Sequence, residues 1–180
     1  MSSCAPGARK NGRVTDAFTD VLRANESFTA AFENPHLQGR AVRGLAVVTC
    51  MDSRIDPLGM LGLSKGDAKI LRNAGARVTG DVLRTLVLAV HLLGVRRVMV
   101  VAHTDCRMSK QTDAAVHAAI RAESGIDTRS LEFGTVDDQE RVLHEDVQRI
   151  RSSPYLPAGL PVIGCIYDVD RGSLDVRVPE

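Results

Sequence analysis

Tryptophan is absent from the 180-residue chain, and four Phe and two Tyr are its whole aromatic content. A core must therefore be built from Val, Leu, Ile and Ala. An excess of either charge is missing as well: 23 Lys and Arg face 22 Asp and Glu, for a net charge of +1. With no basic block, nucleic acid and anionic membrane surfaces are poor partners. Long apolar runs are also lacking. The best candidate, LRTLVLAVHLLG at 83–94, falls short of the about 18 residues that a membrane span needs, and it contains Arg84 and His91. The opening MSSCAPGARKNGR has no apolar stretch of the kind a secretory signal carries. These absences together predict a cytoplasmic protein with neither a membrane nor a nucleic-acid partner.

Cysteines are few and scattered, at positions 4, 50, 106 and 165. A chain of this length makes one domain with its own core and needs no staples, so a disulfide framework is not expected. Familiar ligand loops are missing too. There is no P-loop and no G-x-G-x-x-G; GARVTG at 75–80 lacks the dinucleotide pattern. Phosphatase and rhodanese loops require Cys-x₅-Arg, but six residues after Cys50 stands Asp56.

What is present is an alternation of strands and helices. Residues 1–13 are polar and small and read as a disordered tail, with one domain over 14–180. Apolar residues at helical spacing over 14–33 predict one helix, or two short ones broken near Asn25, ended by NPHLQGR. GLAVVTC (44–50) and RRVMVVAH (96–103) read as buried strands, and AKILRNAGA (68–76) reads as a strand ending in a glycine turn. Residues 79–94 read as a helix capped by Thr79 or Asp81 and stopped by Gly94. DAAVHAAIRAESG and TVDDQERVLHEDVQRIRSS follow as helices. The final LPVIGCIYDVDRGSLDVRV reads as strand, turn and short strand. The fold class is α/β, a mostly parallel central sheet with helices on both faces.

Two strands end in chemistry. VVTCMDSR closes the first, and in extended chain Cys50, Asp52 and Arg54 share one side while Met51, Ser53 and Ile55 turn away. VVAHTDC closes the third, with His103 and Cys106 three residues apart. Ligand sites in parallel α/β sheets form at the carboxyl ends of strands. If these strands are neighbours, Cys50, His103 and Cys106 supply two thiolates and one imidazole, the donor set of a zinc site with an open fourth position. Asp52 either fills that position or acts on the water there. Taken singly, a cysteine at a strand end is most often a small buried residue, and Asp52 with Arg54 is most often a local ion pair. The two stretches together, each ending an apolar strand, are hard to explain in that way. Cys165 reads as core and Cys4 as tail. His36, His91, His117 and His144 show no ligand pattern.

On CMDSR (50–54), RNAGA (72–76) and HTDC (103–106), in that order and separated by the helix DVLRTLVLAVHLLGV, the chain resembles the β-class carbonic anhydrases, most closely the small microbial branch. The likeness runs through IYDVDRGSLDV and covers nearly all of 14–178. It implies Zn²⁺ on Cys50, His103 and Cys106, with Asp52 and Arg54 as the family's dyad, in which Asp52 orients zinc-bound hydroxide or itself ligates the metal. RNAGA matches a loop lining the pocket. The implied activity is reversible hydration of carbon dioxide to bicarbonate and a proton. The alternatives are hydrolysis of COS or CS₂ on the same fold, or a catalytically weak zinc-binding member with a regulatory role. The family also implies a dimer or tetramer in which the N-terminal helix packs on a partner subunit. One position departs from the pattern: this branch commonly carries glycine after the second cysteine, and here stands Arg107. Facing the site, it narrows access or adds charge; on the helix surface it is neutral.

Overall fold

The computed structural model describes residues 16–33 and 37–180. The chain divides into two units between Leu37 and Gln38. In the first, a 3₁₀ turn (Asp16–Phe18) leads into one helix, α1 (Thr19–Ala30). α1 runs unbroken through Asn25, whose carbonyl also accepts from Thr29 Oγ1 at 2.8 Å. The two-helix alternative therefore falls. Every residue of α1 is exposed. The tail expected over 1–13, Cys4 and His36 lie outside the described residues.

The second unit carries the sheet. β1 (Leu45–Cys50), β2 (Ala68–Asn73), β3 (Arg97–His103) and β4 (Val162–Tyr167) are parallel, and β5 (Leu174–Val178) returns antiparallel to β4, in the order β2-β1-β3-β4-β5. All six residues of β1 are buried, which is why its sequence is continuously apolar rather than alternating. Side chains alternate across the sheet. Val48, Val98 and Val100 meet α2 (Gly80–Leu92) and α4 (Gln139–Arg151) through Leu86, Ala89, Leu143, Val147 and Ile150. Burying each of these Val, Leu and Ile side chains stabilises the fold by about 1.5–3 kcal/mol. Gly164 in β4 allows α4 this close: a Cβ there would stand 3.0 Å from both Leu143 Cγ and Val147 Cγ2.

The opposite face holds Leu45, Val47, Val101 and Cys165, packed by Met60, Leu61 and Leu63. Within this unit a 3₁₀ turn (Gly59–Leu61) and its neighbours cover that face, not a helix. The sheet is mostly parallel and flanked by helices, as the α/β reading expects. The β1–β2 connection is rich in glycine and includes Pro57, and such a segment does not sustain a helix.

Local signals explain the helix ends. Thr79, not Asp81, caps α2 by accepting from the Val82 N–H; Asp81 sits in the first turn, where a carboxylate favours the helix dipole. Gly94, at φ 79°, stops the segment. α3 (Asp113–Ser124) is capped by Thr112 and ended by Gly125 at φ 73°. Among the described residues no helix is long and apolar enough to cross a membrane.

Candidate metal centre

β1 and β3 are adjacent at the middle of the sheet, so their carboxyl ends deliver Cys50 and His103 to one place. After His103 the chain turns through Asp105, which adopts φ 56°, and brings Cys106 back beside them. The two sulfurs and an imidazole nitrogen lie within 4.8 Å of one another, on residues that are all buried. His103 Nδ1 is 2.8 Å from the Thr104 carbonyl. A carbonyl only accepts, so Nδ1 carries the proton and Nε2 keeps its lone pair. Among the described residues, His103 Nε2 is the buried side-chain polar atom without a hydrogen-bond partner. A buried, unsatisfied acceptor is costly unless something binds it. Two thiols beside a free imidazole lone pair fit zinc in donor type and number.

The sulfurs are electrostatically unequal. A hydrogen bond from the Cys106 thiol holds the Cys50 pKa far below the ordinary thiol value; burial opposes this, and His103 and the Gly75 N–H reinforce it. The same bond, with burial, pushes Cys106 up. Binding a divalent cation at this pair would release any thiol proton they hold. Burial pulls the His103 pKa down, but the negative charge on nearby Cys50 and the Thr104 carbonyl carry it above its ordinary value.

Asp52 and Arg54 meet through a turn rather than along a strand. β1 stops at Cys50. The Asp52 carboxylate accepts from the Arg54 backbone N–H at 2.9 Å, and the Asp52 carbonyl accepts from the Ile55 N–H at 3.1 Å. The guanidinium then folds back as a fork, with Nε to Oδ1 at 3.0 Å and Nη2 to Oδ2 at 2.8 Å. This corrects the alternation reading. Ile55 does not turn away; it is buried with Cys50, Ala76 and Cys106. The Arg54 side chain, followed by its N–H, holds the Asp52 carboxyl well below the usual carboxylate range. Asp52 Oδ2 stands 3.9 Å from His103 Nε2, at the edge of the centre and committed to Arg54.

Several residues of this neighbourhood escape motif reading. Arg72 donates to the Cys50 carbonyl at 2.8 Å and to the Asp52 carbonyl at 2.6 Å. Gly75 N–H is 3.4 Å from Cys50 Sγ. Asp105 accepts from Arg54 Nη1 at 2.8 Å and pairs with Lys110. Gln139 on α4 donates to the His103 carbonyl at 2.9 Å. The signal for Arg72 and Gly75 lay in RNAGA, without the partners.

Arg107 is exposed and lines a cleft of about 320 Å³ with Cys50, Asp52, Met108, Val116 and Ile120. It therefore stands at the approach to the centre. Cys165 is fully buried, and burial alone pushes its pKa up to about 11. His91 and His117 are engaged elsewhere, by the Tyr155 carbonyl and the Thr128 hydroxyl. His144 is exposed on α4.

Comparison with known proteins bears on this geometry. The carbonic anhydrase family model matches residues 45–174. Beta-carbonic anhydrase 1 of Mycobacterium tuberculosis is 36% identical over 167 residues, spanning 92% of this chain and 99% of the relative. The crystal structure of carbonic anhydrase from Streptococcus mutans superposes with a TM-score of 0.83 at 36% identity, covering 91% of this chain and 99% of that one. A carbon disulfide hydrolase of Acidithiobacillus thiooxidans is 32% identical over 154 residues, spanning 73% of this chain and 76% of the relative. The matched span runs from the first residue of β1 to the first of β5 and so takes in both strand ends that build the centre: the chain belongs to the β-carbonic anhydrase family.

Proposed function

We propose that the protein is a zinc enzyme catalysing reversible hydration of carbon dioxide to bicarbonate and a proton. The observation that carries this reading is the buried, unpartnered His103 Nε2 facing Cys50 and Cys106, with the Asp52–Arg54 pair at its edge. Cys50, His103 and Cys106 are the residues that would hold Zn²⁺. Bound there, zinc supplies a Lewis acid that brings the ionisation of water near neutral pH.

The chain's own residues supply the rest. Asp52, kept ionised by Arg54, accepts a hydrogen bond from the attacking oxygen and fixes where its lone pair points. Arg54, anchored on Asp105 as well, prevents the carboxylate from swinging to the metal side. Arg72 fixes the backbone of both Cys50 and Asp52, so ligand and orienting group keep one spacing. Arg107 places positive charge where an anionic product leaves. Stopped-flow hydration of carbon dioxide with a pH indicator tests the reading. Catalysis that tracks zinc content supports it, and a zinc-loaded protein no faster than buffer overturns it.

A second substrate reading has a specific basis. The relative from Acidithiobacillus thiooxidans is named a carbon disulfide hydrolase, and CS₂ is an apolar linear analogue of CO₂. Sulfide release from CS₂ or COS, with no hydration of carbon dioxide, would select it. A regulatory role without catalysis is the reading left if both assays fail.

Self-association and location complete the proposal. α1 and the 3₁₀ turn before it expose Phe18, Val21, Leu22 and Phe28. An amphipathic helix showing such side chains is best stabilised on a second copy, so a dimer or tetramer is expected. Light scattering giving a monomer near 19.4 kDa at micromolar concentration would overturn it. Cys50, Cys106 and Cys165 are free, which suits the reducing cytoplasm.

A further inference from the structure

Helix α4 reaches the centre with two polar side chains seven residues apart, Gln139 and Asp146, and that spacing puts both on one face. Asp146 is 4% exposed. Arg77 Nε donates to its Oδ2 at 2.8 Å, and Arg77 Nη1 donates to the Gly134 carbonyl at 3.2 Å. The Arg77 backbone is tied in turn to Asn73: its N–H donates to Oδ1 at 2.8 Å, and Asn73 Nδ2 donates to its carbonyl at 2.7 Å. These bonds bracket the short turn Ala74–Ala76. There Gly75 has φ 78° and Ala76 φ 59°. Ala76 carries a Cβ in the left-handed region, a conformation its surroundings must impose. The product of this imposed turn is the Gly75 N–H aimed at Cys50 Sγ, 3.4 Å away.

We propose that Arg77 and Asp146 are positioning residues for the metal centre: by holding the Ala74–Ala76 turn, they set the Gly75 N–H on Cys50 Sγ and so moderate how much charge that sulfur gives the metal. The inference rests on the zinc reading above. Two thiolates cancel the charge of a divalent ion and weaken it as a Lewis acid. An N–H donated to one of them withdraws part of that charge. A purely structural ion pair would differ. Its loss would lower stability, as removing one partner of a buried pair does, and would leave the sulfur's electronic character alone.

The test uses full-length protein loaded with Co²⁺ in place of Zn²⁺, read by the thiolate-to-cobalt charge-transfer band, by zinc affinity in chelator competition and by thermal melting. In Asp146→Ala the band is expected to move to longer wavelength, because a sulfur that has lost its donor is richer in electrons, and zinc affinity to fall about ten-fold. Asp146→Asn still offers Arg77 an acceptor oxygen, so its band should move less. Val147→Ala is the control. Val147 is the next residue, fully buried against the sheet, and its truncation should lower the melting temperature without moving the band. Should Asp146→Ala not fold, Asp146→Asn decides: a red-shifted band supports the inference. A parent-like band in the folded Asp146 variants overturns it. Parent protein that takes up no cobalt overturns the metal reading itself, and this inference with it.

Discussion

Cys50 and Cys165 are the same residue type, both on strands of one sheet and both buried, yet their chemistry diverges. Cys165 lies in the middle of β4 among apolar side chains, and burial alone raises its pKa to about 11. Cys50 lies at the carboxyl end of β1, and the Cys106 thiol heads the donors that lower its pKa against that same burial. Burial alone makes a thiol inert; a strand end with donors lowers its pKa and suits it to the ligand role proposed for Cys50. The position, not the residue, carries the function.

The largest effects should come from breaking the cluster. Cys50→Ser, Cys106→Ser and His103→Ala should each strip zinc from about one ion per chain to near none, because three protein ligands cannot spare one. Cys165→Ser should leave the metal content at the parent value. Elemental analysis of the purified variants reads both arms, and equal zinc in Cys106→Ser and Cys165→Ser would erase the contrast.

A step smaller, Asp52→Ala should keep its zinc and lose about 100-fold or more in kcat, the range for a positioned proton-handling group. Arg54→Ala should also keep zinc and lose about ten-fold, as second-layer supports of a metal site do. Because Arg54 depresses the Asp52 pKa, Asp52 is ionised throughout the neutral range, and an activity limb near pH 7 belongs to another group. Stopped-flow profiles of both variants check this.

The core should behave in the opposite sense. Leu86 is fully buried, so Leu86→Ala should cost about 2–5 kcal/mol by denaturant unfolding while zinc per folded chain stays unchanged.

The smallest effect concerns acid. Asp113 accepts from the Thr135 hydroxyl and from the N–H groups of Thr135, Phe133 and Gly134, which lowers its pKa below 3.8. A depressed carboxylate pKa stabilises the fold above the unfolded value and ceases to do so as pH falls through the folded one. The melting temperature of Asp113→Asn should thus lie below the parent's at pH 6, and the gap should narrow toward pH 3.

Legibility in the sequence followed the range of the interactions. His103 and Cys106 are three residues apart at the end of an apolar run, so local spacing displays them. Cys50 joins them only if β1 and β3 are neighbours, which strand–helix alternation implies without fixing. The Arg77–Asp146 pair spans 69 residues and leaves no local mark, because partner choice at that distance depends on which helix face meets which turn. Strand alternation carried past Cys50 puts Ile55 on the wrong side. The Asp52 carboxylate captures the Arg54 N–H and bends the chain there, so the period of two ends with the strand.

The most direct measurement is zinc K-edge X-ray absorption on the protein as purified. Two sulfur neighbours near about 2.3 Å with nitrogen and oxygen filling the remaining shell near about 2.0 Å are expected, and one sulfur should vanish or the metal be lost in Cys106→Ser. A shell without sulfur, or one unchanged in Cys106→Ser, would contradict the assignment of Cys50, His103 and Cys106 as the metal centre.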